Sequence, residues 1–382
     1  MPSQTSHFER DLAWIRRHMP LTRAQLASLP PVDGVRLACS IHLEPKMTPV
    51  IETVLERGGA VFLTSCNRTT VRDEMVQYLV SRGAEAHAWN GMSSSDADDA
   101  GAKAIDWRPT HLCEMGAALT STIVHRADAP QVRASLEATG SGISRLEKFI
   151  ADGHELGFPV FNWDDLPIKE GLHNRYLVGL STWQTFTDRT RLSLHGKHVV
   201  VVGFGLVGHG IAESARAFGG TVSIAERDAA RILQARYAGF ATGTLEDLAP
   251  EADVIVTATG VSHVVNASHF PLLKDGAFLM NLGHNPDEIE VEALPERRET
   301  VPFVEEVSLD EPERTIYLFA GGSMANLTAG QGDTLNAFDL TLATMVAGLG
   351  FIFTDKAQSY PPGVTALPTH VWQPVADQAA LQ

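Results

Sequence analysis

The chain has 382 residues, a length that suggests two domains and leaves ample material for sizeable cores. Its 44% hydrophobic and 20% charged residues are the balance of an ordinary soluble enzyme. A formal net charge of −16, with no compensating basic run, argues against nucleic acid or an anionic membrane as a partner. No apolar stretch approaches the roughly 20 residues that a bilayer crossing needs. The segment Met1 to Arg17 is too polar for a signal peptide, and the 3 cysteines, Cys39, Cys66 and Cys113, are too scattered for a disulfide framework. A cytoplasmic protein without a metal is expected.

In chain order, Val35 to Ser40 reads as a strand and Met47 to Glu56 as a helix. Ala60 to Ser65 is the next strand and Arg72 to Ser81 the next helix. Repeated β-α units imply a parallel sheet with helices on both faces. Leu146 to Phe158 reads as a helix, Pro159 to Asn162 as a short strand, and Trp183 to Arg191 as a helix leading into a second domain. That domain has strands at His198 to Val202, Thr221 to Ala225, Val254 to Thr259, Ala277 to Asn281 and Thr315 to Ala320. Leu335 to Leu349 is a helix too apolar for a surface position, and an irregular tail begins at Pro361-Pro362. The expectation is α/β: two doubly wound parallel-sheet domains, the second inserted in the first. The first spans 1–185 with 332–382 returning to it, and the second spans 186–331.

The run His198-Val-Val-Val-Val-Gly203-Phe-Gly205-Leu206-Val207-Gly208 places glycines between a buried strand and a helix. The following strand, Thr221 to Ala225, ends at the acid Glu226. This is the full context of a Rossmann dinucleotide site, with pyrophosphate on the helix N-terminus and the carboxylate on the adenosine ribose. A carboxylate accepts from a free 2′-hydroxyl and repels a 2′-phosphate, so the cofactor expected is NAD.

A series of segments then resembles S-adenosylhomocysteine hydrolases from about residue 10 to residue 370. They are Ser40-Ile-His42-Leu-Glu44-Pro-Lys46, Thr64-Ser-Cys66-Asn67, Lys169 through His173-Asn174-Arg175-Tyr176 to Trp183, Asn281-Leu-Gly-His284, Asn326-Leu327 and Tyr360-Pro-Pro-Gly363. The resemblance implies a cycle in which bound NAD oxidises a nucleoside 3′-hydroxyl, the C4′ proton becomes acidic, the C5′ substituent leaves, and the ketone is reduced again. It implies Lys169 as the base at the 3′-hydroxyl, lowered in pKa by desolvation, and His42 as the proton-transfer group at C5′. It also implies that His284 closes the cleft and that Asn174 lies near the nicotinamide. Further cofactor contacts are implied from Leu206, Val207, Thr139, Thr259, Asn281 and Asn326, and a substrate contact from Glu44. A homo-oligomer, dimer or tetramer, is also implied.

The departures fall in the substrate pocket. The paired aspartates before two glycines are Glu114-Met115-Gly116-Ala117 here, leaving Glu114 as the stand-in for an acid near C5′. The sugar-binding glutamate pair is Glu137-Ala138, with only Glu137 retained. The aspartate four residues after the lysine is His173, and a histidine near the base is Asp333. By the resemblance, the family's C-terminal extension is expected to be missing. Each lost acceptor in a buried site costs about 1–3 kcal/mol, which changes the choice of substrate. The leading expectation is a nucleoside 5′-dehydratase that forms a 4′,5′-exocyclic alkene of the angustmycin type. Hydrolysis of S-adenosylhomocysteine or a modified analogue, and an inactive NAD-binding regulator, are the alternatives.

Overall fold

The computed structural model describes residues 6–310 and 313–381. The chain divides into two compact units, one built from residues up to Lys169 and from Leu335 on, the other from Glu170–Thr334. The break therefore falls at 169/170 and 334/335, rather than at 185/186 and 331/332. The helix Val178–Thr190 packs on the helix Leu206–Ala217 of the second unit, which moves the first boundary. That contact is close because Gly179 and Gly210 meet: a Cβ on Gly179 would lie 2.4 Å from the Gly210 carbonyl oxygen. Trp183 is fully buried there and its indole N–H donates to the Ile211 carbonyl (3.0 Å).

The first unit holds strands β1 (Arg36–Ile41), β2 (Ala60–Ser65), β3 (Glu85–Ala86), β4 (His111–Glu114), β5 (Ala134–Glu137) and β6 (Pro159–Asn162). The second adds β7 (His198–Val202), β8 (Thr221–Ala225), β9 (Ala241–Gly243), β10 (Val254–Thr257), β11 (Phe278–Asn281), β12 (Arg297–Val301), β13 (Val304–Leu309) and β14 (Arg314–Phe319). Strand β15 (Gly363–Ala366) returns to the first sheet.

The first sheet runs β15-β6-β5-β4-β1-β2-β3, and its pairs are parallel. Chain order reverses between β1 and β4, so the crevice at their carboxyl ends is the ligand position that this topology favours. The tail expected to be irregular instead supplies β15 and the helix Thr369–Ala380. Leu335–Ile352 is long and apolar enough to cross a membrane, with mean hydropathy 1.5, but 61% of it is buried inside the protein, as in a core helix. Its Asp339 carboxylate accepts from the amides of Leu21 (2.9 Å) and Thr22 (2.8 Å), which explains the acid in an apolar helix. The helix expected over Leu146 to Phe158 starts earlier, at Gly140, because Thr139 caps it, and it ends at Ala151.

The second sheet runs β12-β13-β14-β11-β10-β7-β8-β9. Six of its strands form the parallel doubly wound core, and β12 and β13 extend it as an antiparallel edge. Here the order reverses between β7 and β10, which places the switch-point crevice beside Gly203 and Thr259.

Candidate active site

In the second unit the four valines of β7 are buried between β8 and β10 and deliver the chain into a turn at Gly203. Gly203 has φ +96°, and a Cβ there would lie 2.9 Å from the Ala258 carbonyl oxygen and from Thr259 Cγ2. A Cβ on Gly208 would lie 2.0 Å from the Gly203 carbonyl oxygen, so the helix approaches the turn only with glycine there. Gly205 is the N-cap of Leu206–Ala217 and offers no side-chain cap to the amides of the first turn. A Cβ at Gly205 would meet nothing nearer than Arg231 Nη1 at 3.8 Å, so the space over that turn is open.

Glu226, just beyond β8, accepts from the amides of Phe204 (2.7 Å), Arg227 (2.7 Å) and Asp228 (3.0 Å). Burial would raise its pKa, but these amides outweigh it and hold the carboxyl below its usual range. A charged acceptor beside an open glycine turn fits a dinucleotide with a free ribose hydroxyl.

Thr259 uses its amide and hydroxyl on Glu288, both at 2.8 Å, beside the Gly203 turn. Glu288 was not foreseen, and its signal is the glycine opposite it: a Cβ on Gly283 would overlap its carboxylate. Asn281, at the end of β11, accepts from Gly283 N (2.8 Å) and donates to the Asn285 carbonyl (2.8 Å), which shapes the loop that carries His284. Asn174 and His173 lie in the π-helical stretch Lys169–Leu177. Asn326 donates to Ser181 Oγ (3.1 Å), Ser181 donates to Asp333 (2.8 Å), and Asp333 contacts His173 Nδ1 (3.3 Å).

In the first unit the register sets Ser40, Glu114, Glu137 and Asn162 in one row at the carboxyl ends of β1, β4, β5 and β6. His42, Met115 and Ala138 follow just beyond. His42 Nδ1 is 2.9 Å from Thr70 Oγ1, whose own hydroxyl donates to the Asn67 carbonyl (2.8 Å). The hydroxyl proton is thereby used, so Nδ1 is the donor and Nε2 the acceptor of the neutral ring. Glu44 forms a buried ion pair with Lys46 (2.7 Å), a cation that motif reading quoted without assigning it to the site.

The two glutamates of the row are both taken up by hydrogen bonds within the chain. Glu114 accepts from Leu119 N (2.6 Å), Thr120 N and Thr120 Oγ1, holding the start of the helix Ala118–Val124. Glu137 accepts from Gly116 N, Ala117 N and Thr139 N, each at 2.9 Å, and from Thr139 Oγ1 at 2.7 Å. Both side chains are buried. Glu114, expected as an acid, and Glu137, expected as a sugar contact, are both engaged with backbone amides. Thr139 belongs to the same network, and its hydroxyl also caps Gly140–Ala151. Met115 and Ala138 instead pack against the apolar core.

Lys169 is buried and its ammonium lies 2.5 Å from Asp164 Oδ1. The lysine expected as a desolvated base is thus buried in an ion pair. Asp164 had no motif signal; its position just past β6 identifies it only once the sheet is assembled.

The S-adenosyl-L-homocysteine hydrolase family model matches residues 15–138, and the model of that family's NAD binding domain matches residues 174–332. An adenosylhomocysteinase of Thermococcus kodakarensis is 33% identical over 377 residues, covering 96% of this chain and 89% of the relative. An S-inosyl-L-homocysteine hydrolase of Methanopyrus kandleri is 31% identical, covering 96% and 88%. Another from Methanothermobacter thermautotrophicus is 33% identical, covering 95% and 88%. With the glycine turn, the open first helical turn and Glu226, these matches make the chain an NAD-binding enzyme that belongs to the S-adenosyl-L-homocysteine hydrolase family.

Proposed function

We propose that this enzyme is a nucleoside 5′-dehydratase, removing water across C4′ and C5′ to leave an exocyclic alkene. The reading rests on one observation: the two buried carboxylates of the first sheet's row are bound to backbone amides, and Met115 and Ala138 flank them. A pocket without sugar-binding carboxylates suits a nucleoside other than an ordinary ribonucleoside thioether.

When bound, NAD supplies a reversible oxidation of a sugar hydroxyl to a ketone. The second unit would hold it through Gly203, Gly205, Gly208 and Glu226. Lys169, fixed by Asp164, orients the hydroxyl that is oxidised. His42, held through Thr70, works at Nε2: as imidazolium it protonates the departing C5′ oxygen, which leaves as water. Hydroxide is a poor leaving group, so this proton is required.

A second reading, hydrolysis of S-adenosylhomocysteine or a base-modified analogue, is favoured by the hydrolase names of relatives that align over 88–89% of their length. The experiment that separates them incubates the NAD-loaded protein with nucleosides bearing a free 5′-hydroxyl and, separately, with S-adenosyl- and S-inosylhomocysteine plus a thiol reagent. A product lighter by one water, without net consumption of NAD, supports dehydration. Released thiol with no dehydrated nucleoside overturns it.

A further inference from the structure

Within the first unit, the helices His7–His18, Pro20–Ala27, Thr48–Glu56 and Asp73–Ser81 line a cavity of about 580 Å³. Small-molecule sites run from roughly 300 to 1,000 Å³, so its size suits an organic ligand. Ile15, Met19 and Leu26, all buried, give it an apolar floor. Its charged lining is Arg16, Arg23, Lys46, Arg57 and Arg82 against Glu52 and Glu56. In a chain with a formal net charge of −16, that concentration of arginine reverses the overall balance.

The charges of the lining do not cancel. Lys46 pairs with Glu44 (2.7 Å), which is not part of the lining. Glu52 is buried, accepts from the Tyr78 hydroxyl (2.7 Å) and forms an ion pair with Arg16, while Arg82 lies 3.9 Å from its other oxygen. Arg82 also donates to the Tyr78 oxygen (3.1 Å). Arg57 spends its guanidinium on the carbonyls of Leu26 (3.0 Å), Ala27 (2.8 Å) and Leu29, which occupies its N–H groups and leaves its charge unbalanced. Among the described residues, neither Arg23 nor Arg57 has a carboxylate within ion-pair distance. One carboxylate thus serves two arginines and two more arginines have none, so with Glu56 counted the four arginines exceed the acids by two charges.

A guanidinium is a planar fork that matches carboxylate and phosphate, and it stays charged at any ordinary pH. Arg23 and Arg82 are exposed, so an entering anion can reach both. We propose that this cavity binds a small organic anion with two or more negative charges, a phosphate monoester or a di- or tricarboxylate, with its carbon body on the apolar floor. A bare inorganic ion would leave that floor and most of the volume uncovered. The site is separate from the reaction proposed above and does not depend on it. Lys46 connects the two regions, because it lines this cavity and holds Glu44 two residues beyond His42.

Isothermal titration calorimetry of the NAD-loaded full chain tests this, with glucose 6-phosphate and citrate as probes and sodium chloride of equal ionic strength as the blank. At least one probe should bind at one site per chain. Arg23→Ala and Arg82→Ala should each weaken it about 10-fold, the loss of one charge-assisted hydrogen bond. Arg298→Ala, at an exposed position on β12 of the second unit, removes the same charge and should leave the affinity unchanged. Binding of glucose 6-phosphate alone supports a phosphate ligand, and binding of citrate alone supports a carboxylate. Since Arg23 and Arg82 are exposed, both variants should keep the wild-type far-ultraviolet spectrum; Arg23→Gln and Arg82→Gln replace them if it changes. Binding that R23A and R82A leave as tight as R298A does overturns the site. So does a wild type that shows neither saturable heat nor a raised thermal midpoint with either probe.

Discussion

Replacing Glu137 by Gln removes a carboxyl that titrates near neutrality inside the first sheet. Burial is the main cause and the neighbouring Glu114 carboxylate on β4 the second; together they push Glu137 up to about 7, against the opposing amides of Gly116 and Ala117 and the Thr139 hydroxyl. In the unfolded chain the group titrates near 4.5, so between these values the folded protein holds a proton that the unfolded chain has released. Its contribution to stability is complete below pH 4.5 and is lost as pH rises through 7. At about 1.4 kcal/mol per pH unit of displacement, the wild type should lose about 3 kcal/mol over that window. Urea unfolding of the full chain with NAD, at steps from acid to mildly alkaline pH, measures this loss directly. Glu137→Gln cannot ionise, so the difference between the two proteins should shift by about that amount across the window. Curves that stay parallel would refute the burial argument.

Three further substitutions probe the geometry. Gly205→Val should fold normally, since its Cβ meets only Arg231 Nη1 at 3.8 Å, yet purify without NAD; retained dinucleotide with an unchanged far-ultraviolet spectrum would contradict the cradle. Gly208→Ala sets a Cβ 2.0 Å from a backbone oxygen and should cost about 3 kcal/mol in urea unfolding, a loss that a flexible turn would not show. Ala117→Gly should raise the thermal midpoint, because Ala117 is held at φ +53° and relieving that conformation is worth about 1 kcal/mol.

The parts legible in the sequence are those that local chemistry dictates. Four valines followed by spaced glycines and a later acid specify strand, turn, helix and a second strand that ends at a carboxylate, because each choice depends only on near neighbours. Gly203, Gly205, Gly208 and Glu226 are therefore found where the pattern put them. The antiparallel edge β12–β13 was not foreseen, since Arg297–Val301 is exposed along its length and shows no alternation of apolar and polar burial.

The fate of individual side chains was decided only by the tertiary structure. In one dimension Glu114 reads as an acid near C5′ and Glu137 as a sugar contact, but register places both beside backbone amides that need acceptors. Lys169 acquires Asp164, and His173 acquires Asp333 from a segment far along the chain. The sequence by itself determined the layered α/β units and the dinucleotide turn, because periodicity and backbone freedom are local properties. Which charge faces which depends on how strands and helices are stacked, so the pairs Lys169–Asp164 and His173–Asp333 exist only once the chain has folded.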